Sequence, residues 1–451
     1  MDLTASLVGA LPKVALHDHL DGGLRAETVL ELSQELGLEV PGLEAPLDEA
    51  PDAEDASGRP PGDVTADAPA ADAPAADAPA ADVPSTDAPT ADAPPADAAR
   101  AVADWFHSAA DSGSLPAYLS TFERTVAVMQ TAPQLRRVAR EFVEDMVADG
   151  VVYAETRWAP HQHTAGGLSL DEAVQAVQDG LDEGVAAAEA AGRRIVVGQL
   201  LCYLRHLDPT DDLIEIALAR RDSGVVGLDL AGPEEGFPAS WFRAQFVRAR
   251  AEGLRVTVHA GEADGPSSIA DALDCGAERI GHGVRLLEDI SDAPDGMPSD
   301  SMASEVATDM GSDMSSEAAS EETSDEEPTP SPTLGGVADR VLREQICLEV
   351  CPSSNQQTGV AEKLSDHPVG PLHQLGFAIA LSSDNRLMSR TSTSREMLRA
   401  AQTFGWTLED LERIVLTGLE NGFAPAPQRQ ALRDEVVLPI FRAVRGPVPA
   451  E

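Results

Sequence analysis

The amino-acid sequence predicts a (β/α)8 TIM barrel, an α/β fold in which parallel strands alternate with helices. Eight short apolar runs are typical of buried strands, and amphipathic segments lie between them. A doubly wound sheet is the alternative, but no Gly-rich G-x-G-x-x-G turn follows an early strand. We therefore interpret residues 1–451 as a single barrel domain that carries two inserted segments.

The strands are predicted from runs rich in Val, Ile and Leu, several of them almost continuously apolar. Parallel strands that are buried on both faces have this composition. The eight runs are residues 13–19, 150–158, 194–204, 224–232, 254–262, 279–284, 346–354 and 377–384.

The helices are predicted from apolar residues at helical spacing and from capping signals. One face of residues 134–148 holds Leu135, Val138, Phe142 and Met146. Ser169, with Glu172 three residues later, forms the pattern of a capping box. Further helices are predicted over residues 26–36, 209–221, 238–252, 266–274, 336–345 and 393–403.

Two acidic segments in the βα connections are predicted to be disordered inserts. Residues 44–99 repeat an Ala/Pro/Asp pattern, which prevents helix and core formation. Residues 291–333 are rich in Ser, Glu and Asp and contain no basic residue. The chain as a whole has a net charge of −45, so nucleic acid and anionic membranes would repel it.

Other features of the composition favour a soluble enzyme acting on a small molecule. The four cysteines contain no C-x-x-C pair, which is typical of a reducing compartment. No signal peptide is recognised, and no apolar run approaches the roughly 18 residues of a membrane span. We expect a cytoplasmic protein that binds no nucleic acid or membrane and needs no obligate protein partner.

Polar side chains follow the predicted strands at their C-terminal ends, where barrels carry their chemistry. These residues are His17, His19, Asp21, Gly232, His259, Glu262, His282, Ser353, Asn355, Asp384 and Asn385. His17 and His19 are two apart on one strand, so both imidazoles share a face and can reach one ion. Alone, the H-x-H pattern is a weak signal. For His259 the alternative is a hydrogen-bonded core histidine, and for Asp384 it is a helix N-cap.

Three neutral imidazoles and a carboxylate are a suitable ligand set for Zn²⁺, with water in an open position. Bound zinc lowers the pKa of that water to about 7. The residues therefore indicate zinc-assisted attack of water on a polarised carbon, with Glu262 and His282 available for proton transfers.

Two further patterns are a second H-x-H pair and a group of apolar residues after the first insert. His161 and His163 repeat the H-x-H spacing, but they follow Pro160 in a polar loop and are interpreted as solvated. In residues 103–126, four apolar side chains are expected either to form a wall over the site or to pack as helix core: Trp105, Phe106, Leu115 and Phe122.

Six stretches together resemble the adenosine deaminase family of the amidohydrolase superfamily. They are KVALHDHLDGG, GLDLAGPE, VHAGE, RIGHGV, LEVCPSSN and LSSDNR, in this order. The resemblance implies hydrolytic deamination of adenosine, and of 2′-deoxyadenosine, to inosine and ammonia in purine salvage. It implies one zinc ion per chain, with the ligands His17, His19, His259 and Asp384.

The resemblance also implies roles for the other residues at the strand ends. Glu262 would protonate N1 of the purine, His282 would assist deprotonation of the water, and Asp384 would orient the attacking hydroxide. The substrate would be contacted by His19, by Asp21 at a ribose hydroxyl, by the N–H of Gly232 at N3, and by Asn385 at N7.

The sequence departs from the family at Asn385, where animal members carry Asp, and at Ser383, where threonine is usual. An Asn amide can donate to N7 at any pH.

Adenine deaminase and aminodeoxyfutalosine deaminase are the rival functions, and these typically read HLEG where this chain reads HLDG. A non-catalytic interaction protein that uses the acidic segments is a further alternative.

Overall fold

The computed structural model describes residues 3–43, 95–291 and 332–446. Eight parallel strands form one sheet in the order β1-β2-β3-β4-β5-β6-β9-β10, so the predicted barrel is confirmed. The barrel strands are β1 Lys13–His19, β2 Val151–Trp158, β3 Val196–Leu204, β4 Val225–Ala231, β5 Arg255–Ala260, β6 Arg279–His282, β9 Cys347–Val350 and β10 Ile379–Leu381. A short antiparallel ribbon consists of β7 Ile290–Ser291 and β8 Thr333–Leu334.

The barrel closes through backbone hydrogen bonds between β1 and the residues that follow β10. The backbone N–H of Asp384 donates to the carbonyl oxygen of His17 at 2.9 Å. The N–H of His19 in turn donates to the carbonyl oxygen of Asp384 at 2.8 Å. Closure therefore brings the end of β1 and the residues that follow β10 together at the C-terminal rim.

Helices follow the strands and cover the barrel. Among the described residues they are α1 Ala5–Ala10, α2 Ala26–Leu36, α3 Pro95–Ala110, α4 Leu115–Leu119, α5 Phe122–Ala127, α6 Ala132–Ala148, α7 Leu170–Ala190, α8 Asp212–Arg220, α9 Arg243–Ala251, α10 Pro266–Asp274, α11 Gly336–Glu344, α12 Pro352–Gln357, α13 Val369–Gln374, α14 Arg386–Ser389, α15 Thr393–Phe404, α16 Leu408–Asn421, α17 Ala426–Leu432 and α18 Leu438–Arg445. The predicted capping box is present, since Ser169 Oγ accepts from the N–H of Glu172 at 3.2 Å and Glu172 Oε2 accepts from the N–H of Ser169 at 2.9 Å.

The predicted strand over residues 346–354 is too long. Strand β9 ends at Val350, and α12 begins at Pro352, a residue favoured in the first turn of a helix. Ser353 and Asn355 therefore lie on a helix rather than at a strand end. The helices after residue 404 lie beyond the last helix that the sequence predicted.

Most of the two predicted inserts lies outside the described residues, so their disorder stays a prediction. At the end of the first, residues 95–99 belong to α3, and Ala98 and Ala99 are buried. At the borders of the second, Ser291 pairs with Thr333 in the β7/β8 ribbon.

All residues of β1 and β2 are buried, as expected for strands covered on both faces. Within the described part of the chain, no helix combines the length and the apolar character that crossing a bilayer requires.

Candidate metal centre and active site

Three histidines and one aspartate converge at the C-terminal rim of the barrel. His17 and His19 end β1, His259 lies in β5, and Asp384 follows β10. Nε2 of His19 lies 3.2 Å from Nε2 of His259. Asp384 Oδ1 lies 3.4 Å from Nε2 of both His17 and His19. The structure thus brings together the four residues that the sequence suggested as ligands.

These distances match the spacing of ligands around a tetrahedral ion. Two atoms that each lie 2.0–2.1 Å from zinc at the tetrahedral angle are about 3.3 Å apart. Nε2 of His17 is buried and has no hydrogen-bond partner among the described residues. A buried ring nitrogen in that state is costly unless another group uses its lone pair. The side chains present therefore fit a metal ion.

A second group of metal-competent atoms overlaps the first. His17 and Asp384 lie near the Cys351 thiol, with all three ligand atoms within 4.8 Å of one another. The two groups share His17.

The ligand rings are oriented by buried carboxylates behind them. Nδ1 of His17 donates to Glu349 Oε2 at 3.0 Å, and Nδ1 of His259 donates to Asp229 Oδ1 at 3.2 Å. Arg157 joins the two carboxylates, contacting Asp229 at 2.9 Å and Glu349 at 2.6 Å. With Nδ1 protonated, each neutral ring directs its Nε2 lone pair toward the cluster, an arrangement common around protein-bound metals.

Burial keeps the imidazole rings of His17 and His19 neutral near pH 7. Burial, with the positive charge of Arg157, lowers the pKa of His17 to about 4. Burial also lowers the pKa of His19 well below its usual value, although Asp384 opposes the shift. Neutral imidazole is the form that binds a metal ion.

The carboxylates and arginines behind the ligands are not among the site residues predicted from the sequence. Glu349 also accepts from Arg279 Nε at 2.5 Å and from Thr257 Oγ1 at 3.0 Å. The available signal is a charge inside an otherwise apolar strand, as in ICLEV and GLDLA. A charge buried in this way needs a partner.

Glu262 and His282 form a second cluster beside the ligands. Glu262 Oε2 lies 3.5 Å from Nε2 of His282. Asn355 Nδ2 lies 3.0 Å from His282 Nδ1 and 3.3 Å from Glu262 Oε1, while Thr358 Oγ1 donates to Glu262 Oε1 at 3.0 Å. Burial raises the pKa of Glu262, and the charge of Asp384 adds to the shift, although His282 opposes it. The environment therefore favours the protonated acid.

The loop that carries Glu262 is held by another buried carboxylate, Glu234. Its two oxygens accept four consecutive backbone N–H groups, those of residues 261–264, at 2.6–3.1 Å. Ser268 Oγ also donates to Glu234 at 2.6 Å. Glu234 follows β4, so this contact ties the end of β4 to the loop after β5. Glu234 lies in the stretch GLDLAGPE, but the sequence alone predicted no role for it.

Asn385 follows Asp384 directly and packs against Gly22. A Cβ atom at Gly22 would lie 1.7 Å from Asn385 Oδ1, so the close approach requires glycine there. Gly232 directly follows β4 and has a φ of 98°, a backbone conformation that favours glycine. Both the N–H and the Oγ of Ser353 donate to Glu396, the N–H at 3.1 Å, so its polar groups are bonded away from the histidine cluster.

The prediction that both His161 and His163 are solvated is wrong for His163. His163 is completely buried, and its Nδ1 donates to the carbonyl oxygen of Met129 at 2.9 Å. Its Nε2 faces Asp21 Oδ2 at 3.7 Å. His161 is partly exposed, 3.2 Å from Asp212.

The segment before α6 contributes one aromatic side chain to the border of the site and another to the hydrophobic core. The Phe122 ring lies 6.1 Å from the ring of His19, centroid to centroid, and is partly buried. Phe106 is completely buried, with the Trp105 ring 5.0 Å away in an edge-to-face contact. Phe122 therefore borders the site, whereas Phe106 is a core residue.

Comparisons with known proteins agree with this geometry. The family model described as adenosine deaminase matches residues 88–439. An adenosine deaminase from Mycobacteroides abscessus is 38% identical over 436 residues, covering 96% of this chain and 96% of that protein. Adenosine deaminase 1 from Streptomyces coelicolor is 39% identical, covering 96% of this chain and 88% of that protein.

Solved structures share the fold at lower identity. An adenine deaminase from Arthrobacter aurescens superposes with a TM-score of 0.64 at 21% identity, covering 96% of this chain and all of that one. A zinc-bound amidohydrolase of the same fold gives a TM-score of 0.65 at 19% identity, with 99% of this chain and 95% of that one covered. The family match and the near-full-length relatives show that the chain belongs to the adenosine deaminase family of hydrolytic deaminases.

Proposed function

We infer that this chain catalyses the zinc-dependent hydrolytic deamination of adenosine and 2′-deoxyadenosine to inosine and ammonia, as a step of purine salvage in the cytoplasm. The observation that carries the proposal is the convergence of His17, His19, His259 and Asp384 within reach of one ion, beside the buried acid Glu262. The relatives of 38–39% identity that are named adenosine deaminase support the choice of substrate.

The proposed cofactor is one zinc ion per chain, held by His17, His19, His259 and Asp384. The overlap of the two metal-competent groups at His17 supports a single ion. When bound, zinc would supply the positive charge that lowers the pKa of a water molecule to about 7. The carboxylates Asp229 and Glu349 would keep the His259 and His17 rings in the tautomer that binds metal.

The proton transfers are assigned to Glu262 and His282. Glu262 donates its proton to N1 of the purine, which makes C6 electrophilic. Water adds to C6 and gives up one proton to His282. That proton passes to the amino group, which leaves as ammonia when the C6–N bond breaks, and the second proton of the water restores the acid form of Glu262. His282 holds the proton removed from the attacking water, and Asn355 fixes both side chains through its amide. Asp384 orients the attacking oxygen.

The remaining contacts fix the substrate. The N–H of Gly232 donates to N3, the Asn385 amide donates to N7, and Asp21 accepts from a sugar hydroxyl. His19 would contact the substrate as well as hold the ion. Phe122 stands beside His19 and supplies apolar surface for the purine.

A side-by-side ammonia-release assay tests the substrate. Adenosine, adenine and aminodeoxyfutalosine are offered to the purified protein after its zinc content has been measured. N6-methyl-AMP is included because a structural neighbour from Arabidopsis, at 22% identity and a TM-score of 0.65, is an N6-mAMP deaminase. Preference for adenosine supports the proposal, and turnover of adenine alone overturns it.

A further inference from the structure

Asp21 and His163 form a buried polar pair that the ligand set and the proton-transfer residues do not use. Asp21 lies two residues after His19, and His163 ends the 3-10 turn Pro160–His163 that follows β2. The exposed fractions of the two residues are 3% and 0%. Asp21 Oδ2 and His163 Nε2 are 3.7 Å apart, which is too long for a direct hydrogen bond.

The His163 ring is fixed from behind. Its Nδ1 lies 2.9 Å from the carbonyl oxygen of Met129, an atom that only accepts, so Nδ1 carries a proton. The Trp158 ring packs against it, with the centroids 5.3 Å apart. These contacts direct Nε2 toward Asp21. Nε2 of His163 and Oδ1 of Asp21 are both buried without a hydrogen-bond partner in the described part of the chain.

Two unpartnered polar atoms in one buried place cost free energy until a third group satisfies them. A hydroxyl group both donates and accepts, so it can satisfy a carboxylate and an imidazole nitrogen together. Its oxygen can lie about 2.8 Å from Nε2 of His163 and from Oδ2 of Asp21, since these two atoms are 3.7 Å apart. A phosphate would instead place its negative charge against the buried Asp21 carboxylate.

We propose that Asp21 and His163 together bind one hydroxyl of the substrate's sugar, which makes His163 a binding residue in addition to Asp21. The hydroxyl donates to the Asp21 carboxylate. Nε2 of His163, the ring nitrogen that faces Asp21, donates to the hydroxyl oxygen. This inference rests on the proposed function, because it requires a nucleoside at the site.

The test uses the zinc-loaded enzyme and four nucleosides: adenosine and its 2′-deoxy, 3′-deoxy and 5′-deoxy analogues. In His163→Asn, the amide nitrogen lies near the position of Nδ1, so the contact with Met129 is kept and Nε2 is lost. In His163→Gln, the amide reaches toward the position of Nε2. Zinc content and melting temperature are measured for every variant.

We expect H163N to lower kcat/KM for adenosine by about tenfold or more, chiefly through KM, with H163Q between H163N and the wild type. For the deoxy analogue that lacks the bound hydroxyl, H163N and the wild type should have the same kcat/KM. An equal loss with all four nucleosides means that His163 has only a structural role and overturns the subsite. If H163N does not fold, H163Q is compared in the same way. A wild-type enzyme that turns over none of the four would instead refute the proposed function.

Discussion

The backbone of Asp384 is hydrogen-bonded to the backbone of His17, and the side chains of the same two residues lie 3.4 Å apart at the candidate metal centre. Asp384 has a φ of 58°, and His282 has a φ of 60°, values that are strained for residues other than glycine. Such strain is typical of functional sites and persists only where surrounding contacts hold it. The closure of the barrel and the geometry of the ligands are therefore the same structural feature.

The first prediction concerns His17, whose Nε2 is buried without a partner. His17→Ala should remove one imidazole from the ligand set, so bound zinc and deaminase activity should fall together. His161→Ala is the matched control, because His161 has the same H-x-H spacing but is partly exposed. Zinc is measured by atomic absorption and turnover by the absorbance change from adenosine to inosine. Full activity in H17A without zinc would contradict the assignment.

The second prediction separates the metal from the proton donor. Glu262→Gln should keep zinc and lower kcat by roughly 10²- to 10⁴-fold, because the amide cannot donate a proton as an acid does. Burial raises the pKa of Glu262, so wild-type activity should persist above the usual range of a glutamic acid and fall as the pH rises through the raised pKa. Measuring kcat at a series of pH values follows this fall in activity. A variant that turns over normally would exclude Glu262 as the donor.

The third prediction concerns Glu234, which positions the loop of Glu262. Glu234→Gln replaces one of the two acceptor oxygens by an NH2 group, so the four backbone N–H groups can no longer all be satisfied. We expect kcat to fall by about tenfold or more while KM changes less, since Glu262 loses its position.

Glu235→Gln is the control for E234Q, because Glu235 is the adjacent residue and is exposed. The pH profile of kcat should change in E234Q and stay the same in E235Q. A loss of thermal stability in E234Q with an unaltered kcat and pH profile would show that Glu234 acts only on the fold.

The sequence is sufficient to predict the barrel and the convergence of the candidate ligands because both depend on local patterns. The bounds of β1 agree with the predicted 13–19, and α10 spans residues 266–274 as predicted. The ligands lie at strand ends, and barrel geometry alone brings such ends together. The predicted strand over residues 346–354 extended past the apolar run into residues 352–354, Pro-Ser-Ser, which form the first turn of α12.

Contacts between distant residues could not be predicted in this way. Glu349 is satisfied by Arg157 and Arg279, which are 192 and 70 residues earlier in the chain. His163 follows a proline and lies in a polar stretch, yet the Met129 carbonyl from the preceding loop keeps it buried. Burial of a polar residue depends on which partner the fold brings to it, and one sequence does not contain that information.

The fourth prediction tests how closely the ligands pack against β6. A Cβ atom at Gly281 would lie 3.0 Å from Cε1 of His17 and 3.1 Å from Cα of His259. Gly281→Ala should therefore displace a ligand and weaken zinc binding by about tenfold or more. Gly336→Ala is the control, because nothing lies within 4 Å of its added Cβ. Competition with a chelator gives both affinities, and equal values for G281A and the wild type would contradict the expected displacement.

The last prediction concerns the opposite end of the barrel, where Lys13 is buried. Its Nζ donates to the carbonyl oxygens of Leu11 at 2.7 Å and Gly9 at 3.1 Å. Burial lowers the pKa of Lys13 to about 8, with Asp149 opposing the shift. In the unfolded chain the pKa returns to roughly 10.4. Between these values the unfolded state binds a proton that the folded state has released.

The free energy of unfolding of the wild type should therefore rise relative to Lys13→Met as the pH increases from about 8 to about 10.4, by up to about 1.4 kcal/mol per pH unit. Comparing the two proteins cancels the contributions of buried tyrosines and cysteines, whose titration acts in the opposite direction. Lys363, the only other lysine in the chain, is exposed, so Lys363→Met should show no such trend. Urea unfolding at a series of pH values measures the difference. Parallel stability curves for the wild type and K13M would mean that burial does not lower the pKa of Lys13, because a shifted group must make the difference between them depend on pH.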